Sequence, residues 1–199
     1  MLERIKIAIL AKSFKGKNNG KRGYCVAGIT EDGDWIRLVD DTYGDSLPNR
    51  VEFEVGQIIQ AQVEPAPFAY QSENAILYDY SVIEGDWNDY IARLRQPNEP
   101  YVFVNNAGYL NELQMRKING TLRLASVNAL EIYKNEGRSG CKASFMHKGK
   151  TYEDVSMTTP GFYTRDTMHV GRADIVVSLP AEKGSYTYYY KFIAAIFPV

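Results

Sequence analysis

The sequence predicts an all-β protein, two small β-barrels packed together with one or two short helices. Three observations carry that expectation. Apolar residues alternate with others over short runs, as Ile5, Ile7 and Ile9 do against Arg4, Lys6 and Ala8, which is the period of a half-buried strand. Tyrosine is in excess, 15 copies against 8 Phe and 2 Trp, and aromatic side chains favour pleated, half-buried surfaces. Helical periodicity is sparse, and the strand-like runs divide between two halves of roughly a hundred residues each, the scale of a small barrel.

In chain order, the first half reads as strands near 4–11, 23–30, 35–40, 57–64 and 75–82. The acidic turn EDGD joins the second to the third. The polar stretch DDTYGDSLPNRVEFEVG, with no helical period, joins the third to the fourth. The one convincing helix is DWNDYIARLRQ, with Asp86 as N-cap and Asp89 adding a carboxylate to the first turn. In it Trp87, Tyr90, Ile91 and Leu94 make one apolar stripe at i, i+3, i+4 and i+7. Pro97 and Pro100 stop it. The QPNEP segment is therefore the expected boundary, with a first barrel plus helix over 1–98 and a second barrel over 99–199.

Beyond that boundary YVFV reads as a short strand, and YLNELQMRKING holds one or two helical turns. TLRLASVNALEIYKN contains a strand. CKASFMH and KTYEDVSM form a hairpin about the Lys148-Gly149 turn. TTPGFYTRDTMHVGR reads as an irregular loop, and ADIVVSLP and YTYYYKFIAAIF as closing strands.

A net charge of −1 argues against a protein that coats duplex DNA. The charges are uneven, however. No acidic residue occurs between Ile5 and Thr30, whereas eight occur between Glu31 and Glu54 against Arg37 and Arg50 alone. Cys25 and Cys141 are far apart with no CxxC or Cys/His spacing, and Cys25 in an apolar strand reads as a buried free thiol. The opening MLERIKIAILAK has too short an apolar core for a signal peptide, and no run approaches a membrane span. A reduced, cytoplasmic setting is expected.

The elements ILAKSFKG, GYCVAGIT and WIRLV resemble the opening of the dual OB-fold (DuOB) domain family of bacteria. Ser13 and Lys15 stand in its first element, Cys25 to Ile29 in its second, and Trp35-Ile36-Arg37 in its third. VSMTTP, VVSLP and YYYKFIAAIF, with the pair Tyr190-Lys191, resemble its closing elements. Leu38 stands where that family tends to have Pro, and Thr159 where an Asp is expected. The resemblance implies two OB-like barrels. It also implies binding of nucleic acid or nucleotide, in a bacterial defence setting.

For function the most informative stretch is KSFKGKNNGKR, which reads as a flexible cationic loop between two strands. It carries Lys12, Lys15, Lys17, Lys21 and Arg22 and no anion. OB-type barrels bind strands of nucleic acid across one sheet face and its loops, with cations on phosphates and aromatics under bases. Here Tyr24 or Trp35 would supply the aromatic face. The alternative is a solvated loop whose lysines serve solubility. Trp35 and Arg37 share a strand face, so Arg37 either stacks and donates to phosphate or pairs internally with Asp34, Asp40 or Asp41. Lys191, in a strand otherwise almost wholly apolar or aromatic, either meets a buried carboxylate or projects into a cleft. The tyrosines beside it read as barrel core and rim in preference to a stacking platform.

The loop GFYTRDTMHVGR gathers Tyr163, Arg165 and His169 and is a second candidate rim. His169 lacks a partner at ligand spacing, and GKNNGKR lacks the Walker pattern and precedes a strand. No acid–base pair, metal set or cofactor motif stands out. The expected function is non-catalytic binding of single-stranded nucleic acid or a nucleotide-like anion. The rival is a protein-interaction module whose cations only steer its partner.

Overall fold

The alternation at the N-terminus opens the longest strand among the described residues. The computed structural model describes residues 1–18, 21–48, 51–135, 140–159, 166–183 and 187–199, the side chains of 14–18 and 21–22 excepted. The described residues divide into two units, Met1–Pro97 and Asn98–Val199.

In the first unit β1 (Glu3–Asn18) pairs antiparallel with β2 (Lys21–Thr30), and β2 with β3 (Trp35–Val39). β3 runs parallel to β6 (Asn74–Ile83). β6 pairs antiparallel with β5 (Ile58–Pro65), which returns to β1. The ring β1-β2-β3-β6-β5 is therefore closed, with the short β4 (Leu47–Pro48) appended to β2. Ile7, Ile9, Val26, Ile36, Leu38, Phe53, Ile59 and Val63 fill it. Gly28 is needed where β1 crosses β2, because a Cβ there would lie 2.4 Å from the Ala8 carbonyl oxygen. Gly33, with φ +86°, turns EDGD tightly enough for Arg95 N–H to donate to its carbonyl at 2.8 Å.

The second unit repeats the topology without repeating the sequence. β8 (Leu122–Lys134) pairs with β9 (Cys141–His147), and β9 with β10 (Lys150–Met157). β10 runs parallel to β13 (Phe192–Pro198), which pairs with β11 (Met168–Ser178), which returns to β8. Each unit thus has strand order 1-2-3-5-4 with a parallel third–fifth seam, and each closes as an OB-like barrel. Lys148 and Gly149, both with positive φ, make the two-residue turn between β9 and β10, as a right-twisted hairpin requires. A small ribbon of β7 (Tyr109–Leu110) and β12 (Tyr189–Tyr190) belongs to this unit.

Four expectations are corrected. The described part of the basic stretch is paired strand instead of loop: β1 and β2 pair from Lys12↔Val26 to Lys15↔Gly23 and, after a register shift, at Asn18↔Lys21. The helix is only α1 (Asn88–Arg93), capped by Trp87 backbone without a side-chain bond, while Asp86 accepts from Asn88 N–H one position outside. YVFV is irregular, with Phe103 buried at φ 65°. The reading of 158–172 as loop is cut short by β11, which begins at Met168. α2 (Glu112–Met115) forms in YLNELQMRKING, where Asn111 and Gln114 make a reciprocal capping box. Among the described residues no helix is long and apolar enough to cross a membrane.

Candidate nucleic-acid interface

Lys12 lies where the ribbon leaves the first barrel, and its side chain turns inward. It is buried, and its Nζ donates to the carbonyls of Phe53 at 2.9 Å and Val51 at 3.3 Å and to Glu54 Oε1 at 2.9 Å. The same amine sits 4.7 Å from the centre of the Tyr24 ring. This cation is consumed by the fold, which corrects its assignment to phosphate. Tyr24 is half-buried with its ring engaged by that amine.

Arg37 does share the outer face of β3 with Trp35, since Ile36 and Leu38 point into the core. That outer face is covered. Arg37 and the Glu73 side chain are both buried, with Nη2 3.4 Å from Oε1. The pairing follows from topology, because Arg37 registers with Asn74 at the start of the parallel seam and Glu73 directly precedes it. An internal ion pair is the outcome, and it includes Glu73, which the sequence reading does not name as a partner. Arg37 is thereby withdrawn from phosphate. Trp35 is half-buried and its Nε1 is enclosed.

The corresponding face of the second barrel is open. β9 and β10 turn Met146, Thr151 and Asp154 to solvent beside the half-buried Lys142 and Ser144. A bulge between Tyr152 and Val155 puts Asp154, at φ 56°, on that side. Its Oδ1 accepts from the Tyr133 hydroxyl at 3.0 Å and pairs with Lys142 at 3.3 Å, and Tyr133 also meets Ser144 Oγ at 3.1 Å. Burial pushes the Tyr133 phenol above its ordinary pKa, which keeps it a donor. Nothing in the sequence pattern marks the bulge, so this network escaped prediction.

Lys191 is buried, and neither expectation for it holds. Among the described residues no carboxylate meets it, and its side chain is enclosed, 1% exposed. Its Nζ donates to the Asn105 carbonyl at 2.6 Å and side-chain Oδ1 at 2.9 Å, 5.2 Å from the centre of the Tyr152 ring. Burial lowers its pKa to about 7. The Tyr152 hydroxyl in turn accepts from Val102 N–H at 2.7 Å, so the irregular 98–108 segment is laced onto this barrel.

The side chains of Lys15, Lys17, Lys21 and Arg22 lie outside the described residues, as do Tyr163 and Arg165 altogether. His147 is bound to the Ser126 carbonyl, and His169 pairs with Glu131. Among the described residues no group of three His, Cys, Asp or Glu side chains is placed to hold a metal. A groove of about 290 Å³ crosses β1, β5 and β6, lined by Arg4, Gln60, Gln62, Asp79 and Ser81 among others. None of the sequence-predicted site residues lines it.

No curated protein and no solved structure matches the chain. The sequence model described as the dual OB-containing domain matches residues 5–196. With two five-stranded rings of OB order behind that match, the chain belongs to the dual OB-containing domain family.

Proposed function

We propose that the protein binds single-stranded nucleic acid, or a nucleotide-like anion, without catalysing a reaction, and that phosphate is met by the β1–β2 ribbon. The observation that carries this reading is the ribbon itself. It connects the first two strands of an OB-like barrel, a position that such barrels use for oligonucleotides. Paired backbone continues to Asn18↔Lys21. With Lys12 engaged inside, the acid-free stretch still contributes Lys15, Lys17, Lys21 and Arg22.

The test is gel retardation of labelled single-stranded DNA, single-stranded RNA and duplex at low and moderate salt. Wild type is compared with the combined variant Lys15→Glu, Lys17→Glu, Lys21→Glu. Retardation of single strands that weakens with salt and disappears in the variant is expected. Retention of binding in the variant removes the ribbon from the account. If no nucleic acid is retarded while a protein co-purifies, the chain is an interaction module.

A further inference from the structure

We propose that the groove across β1, β5 and β6 of the first unit binds a free dipeptide, its carboxylate on Arg4 and its ammonium on Asp79. Three adjacent strands build the site. Ile5, Ile7, Ile59, Ala61 and Tyr80 pack toward the core, so strand alternation turns Arg4, Lys6, Gln60, Gln62, Asp79 and Ser81 outward. Register then aligns Arg4 with Gln62 and Asp79, and Lys6 with Gln60 and Ser81. The face therefore carries cations on β1, amides on β5, and an acid and a hydroxyl on β6.

The neighbouring charges on this face are already matched. Glu64 pairs with the Met1 ammonium at 3.1 Å and accepts from the Tyr78 hydroxyl at 2.9 Å, and Lys6 lies 3.9 Å from Glu31. Arg4 and Asp79 remain. Among the described residues the side chains of Arg4, Gln60, Gln62 and Ser81 make no hydrogen bond or ion pair. Asp79 accepts from Tyr80 N–H at 2.9 Å through one oxygen, which leaves the other open. Two strand spacings, roughly 10 Å, separate the Arg4 and Asp79 backbones, and Gln62 fills the row between them. The groove over that row holds about 290 Å³, the lower end of the range for small-molecule sites.

The charge pattern selects the occupant. A bare anion, phosphate included, would meet Arg4 but also Asp79 and Glu3, which borders the groove as well. A polyamine would meet those acids but also Arg4. A ligand with both charges satisfies both ends, the guanidinium gripping its carboxylate with paired donors. One with an amide between the ends also uses Gln62, whose side chain both donates and accepts. An extended dipeptide spans about 7 Å, so Arg4 and Asp79 can close on its termini from either side of Gln62. Leu2, 49% exposed, borders the same groove and offers an apolar contact to a ligand side chain. The site shares no residue with the β1–β2 ribbon and does not depend on nucleic-acid binding.

The test is a chemical-shift titration of the full chain with alanyl-alanine, N-acetyl-alanyl-alanine and alanyl-alanine amide. The second ligand lacks the ammonium and the third the carboxylate. Saturable shifts at the Arg4, Gln62 and Asp79 amides are expected with alanyl-alanine. Each blocked form should bind about three- to five-fold more weakly, the scale of an exposed charge pair. Asp79→Asn keeps an oxygen for Tyr80 N–H, and it should remove the preference for the free over the acetylated ligand. Arg4→Gln should remove the preference for the free acid over the amide. A preference lost only with its own residue excludes a general folding defect. Absence of saturable shifts overturns the proposal, as do shifts that spare this face or end preferences that survive both substitutions.

Discussion

The two barrels put a buried charge at the same place and compensate it differently. In the first, Glu73 directly precedes Asn74, where strand five begins its parallel run along β3. In the second, Lys191 directly precedes Phe192, where strand five begins its run along β10. β3 offers Arg37 at that register, so Glu73 has a counter-ion. β10 offers Ser156, so Lys191 relies on two oxygens of Asn105 and the π face of Tyr152. One topology therefore tolerates either sign at the seam, and the third strand decides whether the charge is neutralised or only solvated by dipoles. The comparison also explains why two of the sequence-predicted phosphate ligands are absent from the surface.

The largest effect should come from breaking the compensated pair. Arg37→Ala leaves the Glu73 carboxylate buried and should cost about 3–5 kcal/mol in urea unfolding. Arg37→Met combined with Glu73→Leu should recover most of that loss. A single variant as stable as wild type would mean that the pair contributes no compensation.

Lys191 should show the other behaviour through pH. Its folded pKa of about 7 lies below the ordinary unfolded value of about 10.4. Between these values the unfolded chain holds the proton and the folded chain does not, so stability rises with pH across the window. Below about pH 7 both states are protonated and the gain is absent. From about pH 7 to about pH 9 wild type should gain roughly 2–3 kcal/mol relative to Lys191→Met. Parallel pH profiles for the two proteins would show that Lys191 keeps an ordinary pKa.

Lys12 should separate interior from ribbon. Lys12→Met should lose about 1–3 kcal/mol, because the Val51 and Phe53 carbonyls lose their donor, and should leave any nucleic-acid affinity unchanged. The smallest effect belongs to the open face of the second barrel. Asp154→Asn weakens its pairing with the partly exposed Lys142 and should change stability by less than about 1 kcal/mol. A larger loss there would mean that the Tyr133–Asp154–Ser144 network supports the barrel as firmly as the Arg37 pair does.

Much of the fold was legible because strand period is a local signal. Ile5, Ile7 and Ile9, the Lys148-Gly149 turn and the prolines after α1 each carry their meaning within a few residues. The sites were legible only in part. Arg37 is positioned by a parallel partner 36 residues away, and Lys12 by carbonyls about 40 residues away. No local pattern reveals which outward side chain will be covered. The alternation in YTYYYK did contain the answer for Lys191, since Tyr188 and Tyr190 face out and Tyr189 and Lys191 face in, but only the cross-strand pairing with Tyr109 fixes the phase.

The most direct test of the account is the salt dependence of single-stranded DNA affinity, measured for wild type, Lys12→Met and the combined Lys15→Glu, Lys17→Glu, Lys21→Glu variant. Four ribbon cations on phosphates give a log–log slope near −3. That slope is expected for wild type and Lys12→Met, and a nearly flat one for the combined variant. A flat wild-type slope, or a steep one that survives charge reversal on the ribbon, would contradict the account.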